Sequence, residues 1–322
     1  MNACPPEEHA RRTIDFMRNH GKVLSLLMSV CFIAATATAA FAQTGKCSFQ
    51  KLSFPPPATN GQAAALNDLG GIAGTFLDSK NAGHGFLFYQ GRLTTFQFPG
   101  SVSTGVSDMS RNGIIVGGYT SADGKGHAYM VHAGGFRTIT LPGHPNADVT
   151  VNGVNSNGDI VGIFSTDQGA SATGFLLRNG KLTILSFPGA TGGTVPTSIN
   201  DQGVVVGGYF INLVNTNPAF MWKNGVFSNI KPPDSIPTPF VNANKISNSG
   251  VVVGSYQPES GGSGFALENG TYTKIDAPAG FEGMSMNILA VNKFDNVLAQ
   301  ATQISQQVGK TVLFKGFCAA AF

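Results

Sequence analysis

A ten-residue phrase returns six times along this chain, and nothing else in the sequence limits the fold as tightly. The copies are ALNDLGGIAG (65–74), DMSRNGIIVG (108–117), GVNSNGDIVG (153–162), SINDQGVVVG (198–207), KISNSGVVVG (245–254) and AVNKFDNVLA (290–299). Their last residues lie 43, 45, 45, 47 and 45 residues apart, a period that marks a repeat architecture. Each copy opens on an apolar residue followed by Asn67, Ser110, Asn155, Asn200, Ser247 or Asn292. Three positions later stands Gly70, Gly113, Gly158, Gly203 or Gly250, with Asp295 in the last copy. That spacing is turn chemistry. An Asn or Ser side chain accepts a backbone N–H two residues on, and the closing residue must tolerate positive φ. A tight hairpin between two strands is expected at each copy.

The rest of each repeat adds two more strands. A third apolar run begins near an aromatic residue and closes on a Gly or Asn-Gly turn, as in GFLFYQG, AYMVHAGG, GFLLRNG, AFMWKNG and GFALENG. A fourth run ends at Pro99, Pro142, Pro188, Pro232 or Pro278, and proline cannot donate to a ladder. Four short antiparallel strands in each of six repeats predict an all-β, six-bladed β-propeller. A β-solenoid would have shorter, parallel rungs without two tight turns per repeat. Two stacked sandwiches would need a linker, and nothing between the repeats resembles one.

The sixth repeat lacks its fourth strand, since only FCAAAF follows KTVLFKG (310–316). A spare strand stands at the other end: CSFQKLSFPPPATNG (47–61) resembles GKLTILSFPGATGG (180–193), the fourth strand and exit of the third repeat. Residues 47–55 are therefore expected to complete the last blade. In that register Cys47 meets Cys318, just past a turn at Gly316, and the two form a disulfide. On a chain-entropy account a link of this span stabilises by about 5 kcal/mol.

Residues 1–42 read as an N-terminal extension and signal peptide, leaving 43–322 as a single propeller domain. From Met17, the expected start, Arg18 and Lys22 precede a charge-free apolar run that ends in Ala40-Phe41-Ala42, a small-x-small cleavage pattern. The run weakens after Ile33, short of the roughly 20 strongly apolar residues of a retained anchor. Cys31 lacks the small residue that a lipid-anchored signal places before its cysteine. No stable membrane insertion is expected after cleavage, and Cys47 and Cys318 are the cysteines that remain, as suits an oxidising, extracytoplasmic compartment. Charged residues make up 11% of the chain and its Lys and Arg do not cluster, which argues against a nucleic-acid partner.

The chain offers no familiar catalytic, nucleotide or metal motif, so neither a catalytic residue nor a cofactor is expected. His84 and His127 hold the same repeat position; Thr173, Pro218 and Ser263 replace them elsewhere, which favours a strand-boundary residue over a metal ligand. NSNGD (155–159) imitates the start of a calcium loop but lacks the later glutamate. Asp78, Asp123, Asp167 and Glu259 fall in the connections between second and third strands. These connections and the fourth-to-first ones should share one face of the ring, opposite the hairpins. Binding residues are sought on that loop-rich face, where Phe210, Leu213, Phe240, Phe281, His84 and His127 are the candidates. Trp222, the single tryptophan, is expected to pack between blades.

The asparagine–glycine turn, the motifs GHGF (83–86), GHAY (126–129) and PAF (218–220), and the strands that end in Pro-Gly carry a resemblance. They resemble the bacterial probable extracellular repeat family named for its His-Ala-Phe (HAF) motif, over residues 47–318. The resemblance implies an exported bacterial protein of propeller-like repeats with no general catalytic activity. Three functions stay open: a binding module for a glycan, peptide or protein; a hydrolase or lyase whose site is assembled from loops of several blades; and a cell-surface structural or adhesive protein.

Overall fold

The structure, a computed structural model, describes residues 43–44, 47–166, 172–211, 218–231, 240–256, 262–303 and 310–318. The expected signal peptide, Asp167, Leu213, Pro232 and Glu259 lie outside the described residues.

Six antiparallel sheets form a ring of blades. Blade 1 runs through Gln62–Leu66, Ile72–Leu77, Gly83–Tyr89 and Arg92–Phe96; blade 2 through Ser101–Met109, Ile115–Ser121, Gly126–His132 and Gly135–Thr138. Blades 3, 4 and 5 repeat that order from inner strands Asp148–Val154, Thr194–Ile199 and Val241–Ile246. The core is divided among the gaps between blades. Each of six buried clusters draws on two neighbours, such as Leu87 and Phe96 of blade 1 with Met109 and Tyr129 of blade 2. Ala290 and Leu298 of blade 6 join Leu66 and Phe86 of blade 1, which closes the circle. Trp222 packs in this way between blades 3 and 4.

The turns match the sequence pattern. Gly70, Gly113, Gly158, Gly203, Gly250 and Asp295 all take positive φ. At the second hairpins Asn179-Gly180, Asn224-Gly225 and Asn269-Gly270 hold two successive positive φ values, the geometry of a type I′ turn.

A device that the pattern does not announce recurs in every blade. The inner strand of each carries a β-bulge, for example between Val106 and Asp108 and between Pro196 and Ser198. Next to the bulge, the inner-strand backbone crosses close over a glycine of the second strand. A Cβ at Gly74, Gly117, Gly162, Gly207 or Gly254 would lie 1.7–2.2 Å from a carbonyl oxygen. The residue paired with that glycine on the third strand is a fully buried aromatic: Phe86, Tyr129, Phe175, Phe220 or Phe265. An aromatic ring over a strand glycine restores the packing that the missing side chain forgoes. The aromatic of the HAF-like motif is thus a core residue.

The sixth blade is completed from the other end of the chain. Cys47–Lys51 pairs with Lys310–Cys318, and Cys47 is disulfide-bonded to Cys318 directly opposite it. Two expectations are corrected here. The closing strand stops at Lys51 instead of residue 55, because Phe54 turns inward onto Phe86 and Phe88 of blade 1. The third strand does not turn at Gly316 but runs on to Cys318, since its partner arrives from the N-terminus and no hairpin is needed. Gln43–Thr44 adds a short fifth strand outside Cys47–Lys51.

Candidate functional site

Alternating strand direction gives the ring two faces. The first-to-second hairpins, and the third-to-fourth hairpins of blades 1 to 5, lie on one, and the second-to-third and fourth-to-first connections lie on the other.

On the hairpin face the recurring polar residues bind the turns to one another. Asn155 Oδ1 accepts the N–H groups of Asn157 and Asp159 at 3.0 and 2.9 Å, while its Nδ2 donates to Asn200 O of the next blade at 3.0 Å. Asn200 Nδ2 reaches Ser247 O at 3.2 Å, and Asn292 Nδ2 reaches Asn67 O at 3.1 Å, across the point where the ring closes. The two-residue step holds for Asn67, Asn155 and Asn292. Ser110, Asn200 and Ser247 accept the N–H four residues on. The calcium-like NSNGD segment is committed in the same way, with Asp159 Oδ2 held by Arg178 Nε at 3.0 Å.

The channel mouth at this face narrows to a cavity of about 40 Å³. The carboxylates that line it are engaged: Asp68 accepts Lys293 N–H and faces Arg111, and Asp201 accepts Ser156 N–H and Asn248 Nδ2. Within the channel the buried Asp108 of blade 2 pairs with the partly buried Lys245 of blade 5, and Asp108 also accepts Met109 and Val154 N–H. The sequence reading named neither residue.

The loop-rich face carries open space. Between blades 2 and 3 lies a cleft of about 360 Å³, lined by Ser103, Ser107, Tyr119, Thr120, His127 and Asp148 over a floor of Gly117, Gly118 and Val151. That is within the roughly 300–1,000 Å³ of small-molecule pockets. A second cleft of about 120 Å³ opens at the same place between blades 4 and 5, with Val195, Tyr209, Phe210 and Asn242 in its walls.

The candidate residues divide accordingly. His127 lines the larger cleft, stacked on its cross-strand partner Tyr119 with ring centroids 5.0 Å apart and with Nε2 3.1 Å from Ser121 Oγ. Phe98 covers the other face of Tyr119, at 3.8 Å, and the Tyr119 hydroxyl meets Thr138 at 2.8 Å. Phe210, partly exposed, stands at the smaller cleft. His84 stacks on Phe76 in blade 1 and contacts Asp78 Oδ2 at 3.1 Å, outside both clefts. The Asp78 carboxyl is held below the usual range first by the Ala82 N–H, then by His84 and the Lys80 N–H. Phe240 is half-buried at the entry to the inner strand of blade 5. Phe281, half-buried, packs edge-on against Phe314 with centroids 4.9 Å apart, at the margin of the core cluster.

Solved structures share this architecture. The β-propeller domain of the Trilobed protease from Pyrococcus furiosus aligns with a TM-score of 0.50 and 10% identity, over 85% of this chain and 93% of that one. TolB from Acinetobacter baumannii aligns at 0.48 and 14% identity over 68% of this chain, which spans 55% of the TolB chain. A fungal lectin from Aleuria aurantia, described as a six-bladed propeller, aligns at 0.44 and 12% over 79% of this chain and 91% of that one. At these identities the likeness is one of fold. No family model and no curated protein matches the chain. The Pyrococcus domain is described as having an open velcro topology, whereas here a strand and a disulfide join the ends.

Proposed function

We propose that this chain is an exported, non-catalytic β-propeller of the extracellular repeat kind, removed from its signal peptide after Ala42, which binds a glycan, peptide or protein ligand through its loop-rich face. The observation that carries this reading is the cleft between blades 2 and 3. Its polar side chains Ser107 and Thr120 make no hydrogen bond to the rest of the described chain, whereas the polar groups at the opposite channel mouth are taken up in holding blades together. Unspent donors and acceptors on a rigid, disulfide-closed frame are what a recognition site requires. The disulfide fits an extracytoplasmic setting.

The test uses printed glycan and peptide arrays with the mature protein and two variants. Thr120→Arg fills the loop face, and Val226→Arg alters an exposed hairpin tip on the other face. Binding that falls at least tenfold in Thr120→Arg and persists in Val226→Arg supports the proposal. Loss in Val226→Arg alone, or no retention on either array, contradicts it.

A further inference from the structure

Two neighbouring glycines end the second strand of blade 2, and they do different things. Gly117 lies beneath the bulge and has no room for a Cβ. Gly118 has ample room: a Cβ there would meet only His127 O, at 3.6 Å, in ordinary contact, and its φ is not positive. Fold requirements therefore do not call for glycine at 118.

Equivalent positions in the other blades show what the missing side chain leaves open. Blade 1 has Thr75, whose Oγ1 crosses to blade 2 and accepts Val106 N–H at 2.8 Å. Blades 3, 5 and 6 have Ile163, Ser255 and Gln300, each likewise paired with the inner strand. Only blades 2 and 4 carry glycine there, Gly118 and Gly208, and the two clefts described above open beside them. Opposite Gly118 the inner strand has Gly105; opposite Gly208 it has Val195, and that cleft is a third of the size.

We infer that the cleft opened by Gly118 is a subsite for a neutral saccharide, an assignment that rests on the loop-face reading above and gives it a ligand class. The hydroxyls of Ser107 and Thr120 each donate and accept, as do the hydroxyls of a sugar ring. Ser103 Oγ accepts Gly83 N–H at 2.9 Å and keeps its own hydrogen to donate. Asp148 at the rim makes the neighbourhood of the cleft negative. Val149, Val151 and the bare glycine backbone offer an apolar surface to the C–H face of the ring. The lining contains no Lys or Arg, so phosphate, sulfate or sialate would meet Asp148 without a compensating cation. The stack of Phe98, Tyr119 and His127 lies on the opposite, blade 1 side of the same sheet and holds the strand that carries Gly118 and Thr120 in place before a ligand arrives, which lowers the ordering cost of binding.

The experiment is an array of neutral, sialylated and sulfated glycans, followed by titration of the best neutral glycan by calorimetry. It is run on the mature protein, on Gly118→Ile, which borrows the residue of blade 3, and on Thr120→Val. Neutral glycans should be retained. Gly118→Ile should bind at least tenfold more weakly with its unfolding temperature preserved, and Thr120→Val several-fold more weakly. Should Gly118→Ile fail to fold, the Thr120→Val titration decides. Unchanged affinity in the variants, preference for anionic glycans, or retention of no glycan overturns the saccharide assignment. Retention of peptides only, still lost in Thr120→Arg, overturns it while leaving the loop-face reading standing.

Discussion

Asp108 and Lys245 occupy the same repeat position, beside the bulge of an inner strand, where the other blades carry Ala65, Gly153, Ser198 and Ala290. The repeat pattern gives each of them a place but cannot join them, because 137 residues separate the two and only a closed ring brings them together. A buried ion pair that loses one partner leaves an uncompensated charge, at a cost of about 3–5 kcal/mol. Lys245→Ala is accordingly expected to destabilise the fold by about 3 kcal/mol in denaturant unfolding. The pair Asp108→Ser with Lys245→Ala, which borrows residues already used at this position, should be more stable than Lys245→Ala alone. A double variant as unstable as the sum of the singles would show that the two charges are not coupled. His84 and His127 illustrate the opposite case. Their shared repeat position was legible, and so was the preference for a strand-boundary role. Their aromatic partners Phe76 and Tyr119 emerge only with the strand register.

At the scale of the strand, the run VGGY in blades 2 and 4 reads as two equivalent glycines, and the structure separates them. Gly117 sits under a carbonyl oxygen that a Cβ would approach to 2.0 Å, whereas Gly118 borders the cleft. Adding one methyl group to each should give opposite results. Gly117→Ala forces the bulge to move and is expected to cost about 2–3 kcal/mol. Gly118→Ala should stay within about 0.5 kcal/mol of the parent. Chemical denaturation of the two variants side by side checks this, and equal effects would mean that the bulge geometry is wrong. Turn chemistry was legible in the sequence because Asn, Ser and Gly have fixed local roles. The bulges were not, since they follow from how an inner strand must curve beside the channel, a property of neighbours instead of local residue type.

For the whole molecule, the period of about 45 residues sufficed to count the blades, because each repeat buries its faces only against the next. The missing fourth strand of the last repeat and the spare LSFP segment near the start pointed to closure. The exact end of the closing strand depended on Phe54 finding blade 1. The cleft was illegible because it is made by an absent side chain between two repeats, and a linear pattern records only what is present. Both faces of the ring owe their definition to closure: Asn292 of blade 6 bonds Asn67 of blade 1 only if the ends meet. The most direct test of the account is therefore a peptide map of the protein digested without reductant, after alkylation of any free thiol. It should yield one cross-linked species that joins the peptides containing Cys47 and Cys318, released by reductant. Recovery of both cysteines alkylated in the unreduced digest, or of either one linked to a second molecule, would contradict a ring closed by its own ends.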